Sequence, residues 1–339
     1  MAQYKKKNPQ AQAEAIELKL RFNSNYQADE AKRRAFVNQE VKAFCTNNSA
    51  PDLKELEKKC PNPLPTVDLT NKAIQQIGIH PVILSLICGT FLGDSSLTVT
   101  KGYKNARMQF RHSTRQSEWF MWKAVHLLKD FSNEKSISFT KPDGYQKNAV
   151  VAEGETLGKL NFMSQANEKL TALWSIICPG NVKTVCRHWL NHMNAYFLMT
   201  LWLDDGSLSK NRQGIISCNK FQEKDVRILA DYITTVWGVK CNAVLVPSKA
   251  TKTNPNPMQI EIADFENLEK FIRIIAPLVP VKSMLYKVLL YKPNNPAFLQ
   301  RWISELKGLV RPEWHSFIEE RYVYLEASAS TVRKSEARS

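Results

Sequence analysis

Two short stretches decide the fold of this chain: GTFLGDSSL at residues 89–97 and LWLDDGSLS at residues 201–209. In each stretch an apolar segment ends at an acidic residue, and the dipeptide Ser-Leu follows closely. The two acids, Asp94 and Asp205, lie 111 residues apart. This spacing is longer than that of any solenoid repeat, so it predicts a duplicated unit rather than a repeat array.

The predicted elements follow each apolar helix in one order: helix, strand, strand, helix, strand, strand and helix. In the first copy they are predicted at 77–94, 96–100, 106–113, 114–131, 137–146, 156–164 and 168–177. In the second copy they are predicted at 194–206, at a hairpin over 207–219, and at 224–239, 240–246, 257–264 and 265–279. The predicted fold class is therefore α+β, with two pseudo-symmetric αββαββα units.

The two copies form the centre of a chain that divides into four predicted regions. Residues 1–75 are polar and charged, with helix-like stretches and a proline-rich link, CPNPLPTVD. The first repeat is assigned to residues 76–180 and the second to residues 181–292. The remaining residues, 293–339, are predicted to form a helical region and a polar tail.

Charge and composition narrow the classes of function. The 47 Lys and Arg residues exceed the 32 Asp and Glu residues, giving a net charge of +15, which favours a polyanionic partner or serves solubility alone. The seven cysteines form no CxxC pair, so neither a disulfide framework nor a zinc site is indicated. No apolar run approaches 18 residues and the first 20 residues lack the apolar centre of a secretory signal, so we expect a soluble protein.

The doubled acid predicts a metal site. If the two apolar helices pack side by side, Gly89 and Gly93 let their backbones approach, and Asp94 and Asp205 come together. Two adjacent carboxylates form an oxygen-only site suited to Mg²⁺, with Mn²⁺ as a possible substitute. Such an ion activates water and stabilises the leaving oxygen of a phosphodiester. The alternative is that each acid only ends a helix.

These motifs resemble those of a known family. ICGTFLGDS (87–95) and LMTLWLDDG (198–206) are similar to the two motifs of single-chain LAGLIDADG homing endonucleases. Residues 260–288 resemble the end of the second repeat in such enzymes, and the whole resemblance covers about residues 78–292. It implies a monomer with the motif helices packed at its centre, a saddle of antiparallel sheets along the DNA major groove, and cleavage of both strands of a long specific site.

The resemblance also implies roles for individual residues. Asp94 and Asp205 would be the metal-binding acids, and the backbone carbonyls of Gly93 and Asp204 would be further ligands. Asp204 stands where a small packing residue is usual, so either Asp204 or Asp205 could be the principal ligand. Lys183 and Lys287 match the basic residues that the family places near each half of the active site, where they would stabilise charge on the phosphate or position the water.

A DNA-facing surface is predicted from the alternation of polar and apolar residues in the strands. Arginine can form two hydrogen bonds to the edge of guanine, and glutamine or asparagine can form two to the edge of adenine. The residues predicted to face DNA are Thr98, Thr100, Arg107, Gln109, Arg111, Lys159, Asn161, Ser209, Lys210, Lys240, Asn242, Gln259 and Glu261.

Two other functions remain open. One is an RNA-binding maturase that assists the splicing of a group I intron, to which the basic residues near 32–42 would add contacts. The other is a DNA-binding protein without catalytic activity, which would have no need of an acid at both helix ends. The resemblance further suggests an organelle, either mitochondrion or chloroplast, with bacterial or phage cytoplasm as the alternative.

Overall fold

The structure is a computed structural model that describes residues 29–63, 72–142, 156–209, 213–219, 221–247, 250, 256–292 and 295–336. The helices are α1 (29–47), α2 (Leu53–Lys58), α3 (Lys72–Gln76), α4 (Pro81–Leu92), α5 (Ser117–Met121), α6 (Glu168–Ile177), α7 (Arg187–Leu190), α8 (Ala195–Asp205), α9 (Glu223–Trp237), α10 (Phe265–Ile275), α11 (Pro296–Leu309) and α12 (His315–Glu336). The strands are β1 (Ser95–Thr98), β2 (Arg107–Ser113), β3 (Ile137–Thr140), β4 (Lys159–Met163), β5 (Gly206–Ser209), β6 (Gln213–Ser217), β7 (Cys241–Leu245) and β8 (Met258–Ile262).

The apolar helices α4 and α8 pack against each other at the centre of the molecule. Almost every residue of both helices is buried, as expected for helices that are hydrophobic on all sides. Each begins at a side-chain cap, because His80 accepts a hydrogen bond from the Val82 amide and Asn194 accepts one from the Tyr196 amide. The predicted central pair of helices is confirmed.

Each unit contains one antiparallel sheet of four strands. The strand order is β1-β2-β4-β3 in the first unit and β5-β6-β8-β7 in the second, so the topology is duplicated. The helices cover the apolar faces of the sheets, as the contacts of α9 with β7 and β8 and of α6 with β1 and β2 show. The predicted α+β class with two αββαββα units is confirmed.

The register shows that the units match residue by residue near the motif acids. Ser95, the residue after Asp94, pairs with Phe110, and Gly206, the residue after Asp205, pairs with Ile216. In β2 the alternation is as predicted, because Gln109 and Arg111 are exposed while Met108, Phe110 and His112 are buried. The polar face therefore points away from the helices.

Some predicted elements differ in detail. The strand expected over 137–146 is β3, which ends at Thr140, and residues 143–146 lie outside the described residues. The single helix expected over 114–131 is a 3₁₀ turn, the short helix α5, a π-helical segment over Trp122–Leu127 and a second 3₁₀ turn. In the π segment the Leu128 amide donates to the Lys123 carbonyl at 2.9 Å, five residues earlier. Wide turns of this kind often lie at functional sites, and this one carries a fully buried lysine.

The extensions dock on the outside of the two units. Helix α1 covers the edge of the first sheet, where the Phe36 and Phe139 rings are 4.9 Å apart and Val37 and Phe44 are buried. In the C-terminal region, Arg273 of α10 pairs with Glu305 of α11. Helical segments are thus present in both predicted extensions, while the boundaries after residues 75, 180 and 292 stay predictions. Within the described ranges, no helix is long and apolar enough to cross a bilayer.

Candidate active site at the ends of the two central helices

Glycines bring the two central helices together. A Cβ atom on Gly89 would lie 2.6 Å from the Phe197 carbonyl oxygen and 2.9 Å from the Thr200 Cβ. A Cβ atom on Gly93 would lie 2.8 Å from the Asp204 Cβ. The expected close approach is confirmed, and it explains the larger residues of the second motif, because each one faces a glycine of the first.

The same contact brings the two motif acids to one place. Asp94 follows Gly93, which ends α4, and its side chain is 40% exposed. Asp205 is the last residue of α8, and its Oδ2 atom would lie 3.4 Å from a Cβ on Gly93. Both carboxylates act on the same buried amine: burial lowers the pKa of Lys287 to about 8, and Asp94 and Asp205 both oppose that shift.

Asp204 has a different environment from its neighbour Asp205. Its carboxylate is fully buried and accepts hydrogen bonds from Trp119 Nε1 at 2.8 Å, from Lys123 Nζ at 2.9 and 3.1 Å, and from the Thr90 hydroxyl. Burial alone would raise the pKa of this carboxyl group, but Lys123 holds it below its ordinary value. The Asp204 carboxylate is therefore an internal anion of the core.

His112 connects this buried pair to Asp94. Its Nε2 atom lies 2.8 Å from the Lys123 Nζ, and its Nδ1 atom lies 3.6 Å from the Asp94 Oδ2. Burial, and then Lys123, lower the pKa of His112 to about 3, so the ring is neutral. The ring also has a hydrogen bond with the Gln116 side chain, and its Nε2 atom lies 3.7 Å from the Asp204 Oδ1.

Sequence reasoning missed both His112 and Lys123. The available signal was a single lysine within the apolar segment WFMWKAVHLL, residues 119–128, where a charged group needs a buried partner. Trp119 and Trp122 are both buried, and Trp119 also donates to Asp204.

Metal-binding groups are close together at this point. One ligand atom from each of Asp94, His112 and Asp204 lies within 4.8 Å of the others. The Lys123 ammonium, however, already contacts both Asp204 oxygens and the His112 Nε2. Asp205, the other predicted metal ligand, is not one of the three residues of this group.

The two predicted lysines lie at the ends of the motif helices. Lys183 Nζ donates to the Ser95 carbonyl at 2.9 Å and to the Phe91 carbonyl. Lys287 Nζ donates to the carbonyls of Trp202 at 3.3 Å, Leu203 at 2.6 Å and Asp204 at 3.2 Å. Both cations thus cap the carbonyl ends of the helices that carry the acids.

The polar face of the first sheet is continuous with the first acid. A groove is lined by Asp94, Gln109, Arg111, Asn161 and neighbouring residues of the four strands. Asn161 Nδ2 donates to the Ser138 carbonyl at 3.3 Å. The polar residues on this face that sequence reasoning missed are Ser96, Ser138 and Thr140, which are at least partly exposed and follow the same alternation.

The other predicted DNA-facing residues divide by exposure. Those exposed are Thr100, Lys240 and Asn242; those half-buried are Thr98, Arg107, Lys159, Ser209 and Glu261. Gln259 is only 6% exposed, and its amide donates to Glu261 at 2.7 Å. Lys210 lies outside the described residues.

Comparisons with known proteins agree with this geometry. The model of the LAGLIDADG DNA endonuclease family matches residues 84–255, just over half of the chain. The structure of the homing endonuclease I-WcaI bound to its DNA recognition sequence aligns with 68% of this chain and 97% of its own, with a TM-score of 0.51 and 16% sequence identity. At that identity the likeness shows the fold.

Two proteins that are similar in sequence align with smaller shares of this chain. The chain is 24% identical over 233 residues to the cytochrome b mRNA maturase bI2 of Saccharomyces cerevisiae, which is 66% of this chain and 51% of that protein. A 100-residue stretch is 34% identical to the conidial pigment polyketide synthase PfmaE of Pestalotiopsis fici, covering 28% of this chain and 4% of the synthase. The chain thus spans about half of the maturase and a small part of the synthase.

Proposed function

This chain belongs to the LAGLIDADG DNA endonuclease family, and from that premise we propose that it is a sequence-specific homing endonuclease that cuts both strands of a long DNA site. It acts as a monomer, since its two units supply both halves of one site. The observation that carries the proposal is the convergence of Asp94 and Asp205 at the ends of two packed helices, beside a groove of polar and basic side chains.

The donors at this point suit Mg²⁺, and Mn²⁺ as a substitute, because hard cations prefer oxygen ligands and Mg²⁺ needs few protein groups. The carboxylates of Asp94 and Asp205 would hold the ion, with the carbonyls of Gly93 and Asp204 as further donors. When bound, the ion supplies an activated water and stabilises the leaving oxygen of the phosphodiester. The Asp204 carboxylate is not assigned to the ion, since it already bonds Lys123.

Lys183 and Lys287 support the two acids. Each ammonium group bonds carbonyls within three residues of a motif acid, and so it fixes the helix end that carries that acid. Each also puts a positive charge close to where phosphate charge develops, which lowers the barrier to hydrolysis. We assign these lysines to catalysis through charge and positioning.

The sheet faces read the target. Arg107, Gln109 and Arg111 lie on consecutive outward positions of β2, and the register sets Arg111 opposite Asn161. Their spacing along the strand matches a surface that contacts successive base pairs in the major groove. Basic side chains on the same face supply the phosphate contacts that position the duplex.

The test is cleavage of a plasmid library that contains intron-insertion sequences, with Mg²⁺ or with EDTA. We expect cuts at one recoverable long site, lost in EDTA and lost by more than 100-fold in Asp94→Asn and in Asp205→Asn, with binding retained. Asp130→Asn, an exposed acid outside the site, is the matched control and should cut normally. Full activity in either motif variant would contradict the site assignment.

A second function is supported by the likeness to a cytochrome b mRNA maturase. The same basic surface would then bind a group I intron RNA, a use that needs no metal at the motif acids. Splicing of intron RNA that depends on the protein and is unaffected by Asp94→Asn would support the maturase. Specific DNA binding without cutting in Mg²⁺ or Mn²⁺ would instead support an inactive binding protein. In either role we propose an organelle, mitochondrion or chloroplast, as its location.

A further inference from the structure

We propose that helix α1 extends the DNA-binding surface past the outer edge of the first sheet, and that a backbone phosphate of the target binds between α1 and β3. The residues assigned to this contact are Arg33 and Arg34 of α1 with Ser138 and Thr140 of β3. The inference rests on the proposed function, because it needs a DNA target. It adds a contact from a helix that precedes residues 84–255, which the family model matches.

The cleft between α1 and β3 adjoins the groove that begins at Asp94. That groove is lined by residues of all four strands of the first sheet, and Ser138 and Thr140 are its residues from β3. The same two residues line the cleft, and its other wall is formed by α1, including Arg33 and Arg34. Both β3 residues are exposed. A DNA backbone that crosses β3 on leaving the groove therefore meets the two arginines next.

The position of β3 in the sheet places this contact away from the motif acid. The strand order is β1-β2-β4-β3, and β1 begins directly after Asp94. Neighbouring strands lie about 4.8 Å apart, so β3 is about 14 Å across the sheet from β1. A phosphate bound beyond β3 is therefore not the one that is cut, and the contact contributes to affinity alone.

Apolar contacts hold α1 at this edge. The rings of Phe36 and Phe139 are 4.9 Å apart, and Val37 is buried. Phe139 lies between Ser138 and Thr140 in β3, so it points to the opposite face of the strand. Docking of the helix on Phe139 therefore leaves the two hydroxyl groups accessible. Because α1 is already in place, its arginines lose little conformational freedom when they bind a phosphate.

Neighbouring groups position the two arginines. Arg34 Nη1 donates to the backbone carbonyl of Glu134 at 2.9 Å, and this acceptor is uncharged, so the bond orients the guanidinium without neutralising it. Arg33 pairs with Asp29, and Lys141 Nζ lies 3.5 Å from the same carboxylate, so two cations share one acid. Arginine and hydroxyl side chains are common donors to backbone phosphates in protein–DNA complexes.

Glu30 is an acidic residue that lines the same cleft. Its side chain is exposed, and its charge opposes a phosphate bound there. The charges of Arg34 and Glu30 therefore have opposite predicted effects on DNA affinity. If α1 only packed against the sheet, removal of either charge would leave the dependence of affinity on salt unchanged.

The experiment measures the affinity of the full chain for its target duplex and for a scrambled duplex, in EDTA and at several salt concentrations. The variants are Arg34→Gln, Arg34→Lys, which keeps the charge, and Glu30→Gln. The matched control is Lys42→Gln, which removes a charge from an exposed position on the same helix, about 12 Å along its axis from Arg34.

The charge variants should change affinity in opposite directions. We expect Arg34→Gln to weaken binding to both duplexes by about 5–10-fold, and the slope of log affinity against log salt to fall by about 1. Arg34→Lys should keep the wild-type slope. Glu30→Gln should strengthen binding by about 2-fold, and Lys42→Gln should leave affinity and slope unchanged. The Glu30→Gln titration tests the inference even if Arg34→Gln fails to fold.

A second measurement locates the contact on the DNA. Single phosphates of the target are replaced in turn by uncharged methylphosphonates, and each duplex is titrated with the wild type and with Arg34→Gln. We expect at least one replacement, away from the two cut phosphates, that weakens binding of the wild type and not that of Arg34→Gln.

The outcomes separate the two proposals. A wild-type protein that binds target and scrambled duplexes equally overturns the proposed function, and the inference falls with it. If the wild type binds its target while Arg34→Gln and Glu30→Gln behave like Lys42→Gln, the inference alone is overturned. Weaker binding by Arg34→Gln with an unchanged salt slope also overturns it, because Arg34 would then act only by holding α1. An effect of Arg34→Gln on intron RNA that is absent with DNA would assign the cleft to RNA instead.

Discussion

The Lys123 ammonium lies 2.9 and 3.1 Å from the two carboxylate oxygens of Asp204, and both side chains are fully buried. Removing two charges from water costs several kcal/mol per ion, and only close geometry with further hydrogen bonds offsets that cost. Here Thr90 and Trp119 also donate to the acid, and the His112 Nε2 atom lies 2.8 Å from the amine. The pair fixes the end of α8 against the π-helical segment and so holds the motif acids in place.

Removing one partner of this pair should strongly destabilise the protein. Lys123→Met leaves Asp204 buried without a cation, and we expect the free energy of unfolding to fall by about 3–5 kcal/mol. Urea unfolding followed by circular dichroism measures the loss. Lys224→Met, an exposed lysine on α9, is the control and should change stability by less than about 0.5 kcal/mol.

The same pair makes a second comparison possible. The double variant Lys123→Met/Asp204→Leu removes both charges, and we expect it to be more stable than Lys123→Met, because buried ion pairs replaced by apolar side chains often cost little. A double variant less stable than the single one would show that the carboxylate stabilises the fold without its cation.

The glycine at the helix crossing should not accept a methyl group. In Gly89→Ala the new Cβ would lie 2.6 Å from a backbone oxygen of Phe197, so the helices must separate. We expect a loss of about 1–3 kcal/mol, as for other overpacked cores, with a loss of cleavage because the acids move apart. Gly308→Ala in α11, where no atom lies within 4 Å of the new Cβ, should gain about 0.5–1 kcal/mol from helix propensity. Equal effects of the two substitutions on stability would contradict this account.

The features that sequence reasoning predicted correctly are periodic ones. The alternation in β2 and the two apolar helices follow from the local order of polar and apolar residues. Because the unit is duplicated, each element could be predicted from two copies. The close packing of α4 and α8 followed from the glycines that allow the helices to touch. These predictions depend only on residues that are close in the sequence and on the assumption that the two apolar helices pack side by side.

The features that were missed depend on contacts distant in sequence. Lys123 and Asp204 are 81 residues apart, and the sequence around either residue does not indicate that the other is its partner. The π turn that carries Lys123 has no distinctive sequence pattern. Gln259 shows the same limit, because its outward position in β8 is set by alternation while its burial depends on the residues around it. These details depend on contacts between particular pairs of side chains in the core.

The docking of α11 on α10 should depend on pH through Glu305. This carboxylate pairs with Arg273 and with Arg301, and the hydrogen bond from Arg273 holds its pKa below the ordinary value of 4.5. A carboxyl with a lowered folded-state pKa stabilises the fold above its ordinary pKa, and that contribution disappears as the pH falls through the lowered value. The pair is partly exposed, so its contribution is about 1 kcal/mol.

Glu305→Gln isolates this contribution. We expect the variant to be less stable than the wild type at pH 6.5 and the difference to shrink by pH 3.5, as measured by urea midpoints at both values. All other carboxyl groups are the same in the two proteins, so their titration cancels. A difference that stays constant with pH would assign the loss to packing rather than to charge.

The outward face of β2 should contribute directly to DNA affinity. Arg111 is exposed, lies beside Asp94 in the groove, and is opposite Asn161 in the register. If its guanidinium bonds a base edge, Arg111→Ala should weaken binding to the specific site by about 1–3 kcal/mol and relax the preference at one base pair. If it bonds a phosphate, binding should weaken equally on all sequences, and the slope of log affinity against log salt should fall by about 1.

Titrations of specific and scrambled duplexes at several salt concentrations distinguish these outcomes, with Lys224→Ala as the control on a helix outside the groove. Unchanged affinity for both duplexes would remove Arg111, and with it the polar face of β2, from the proposed DNA-binding surface.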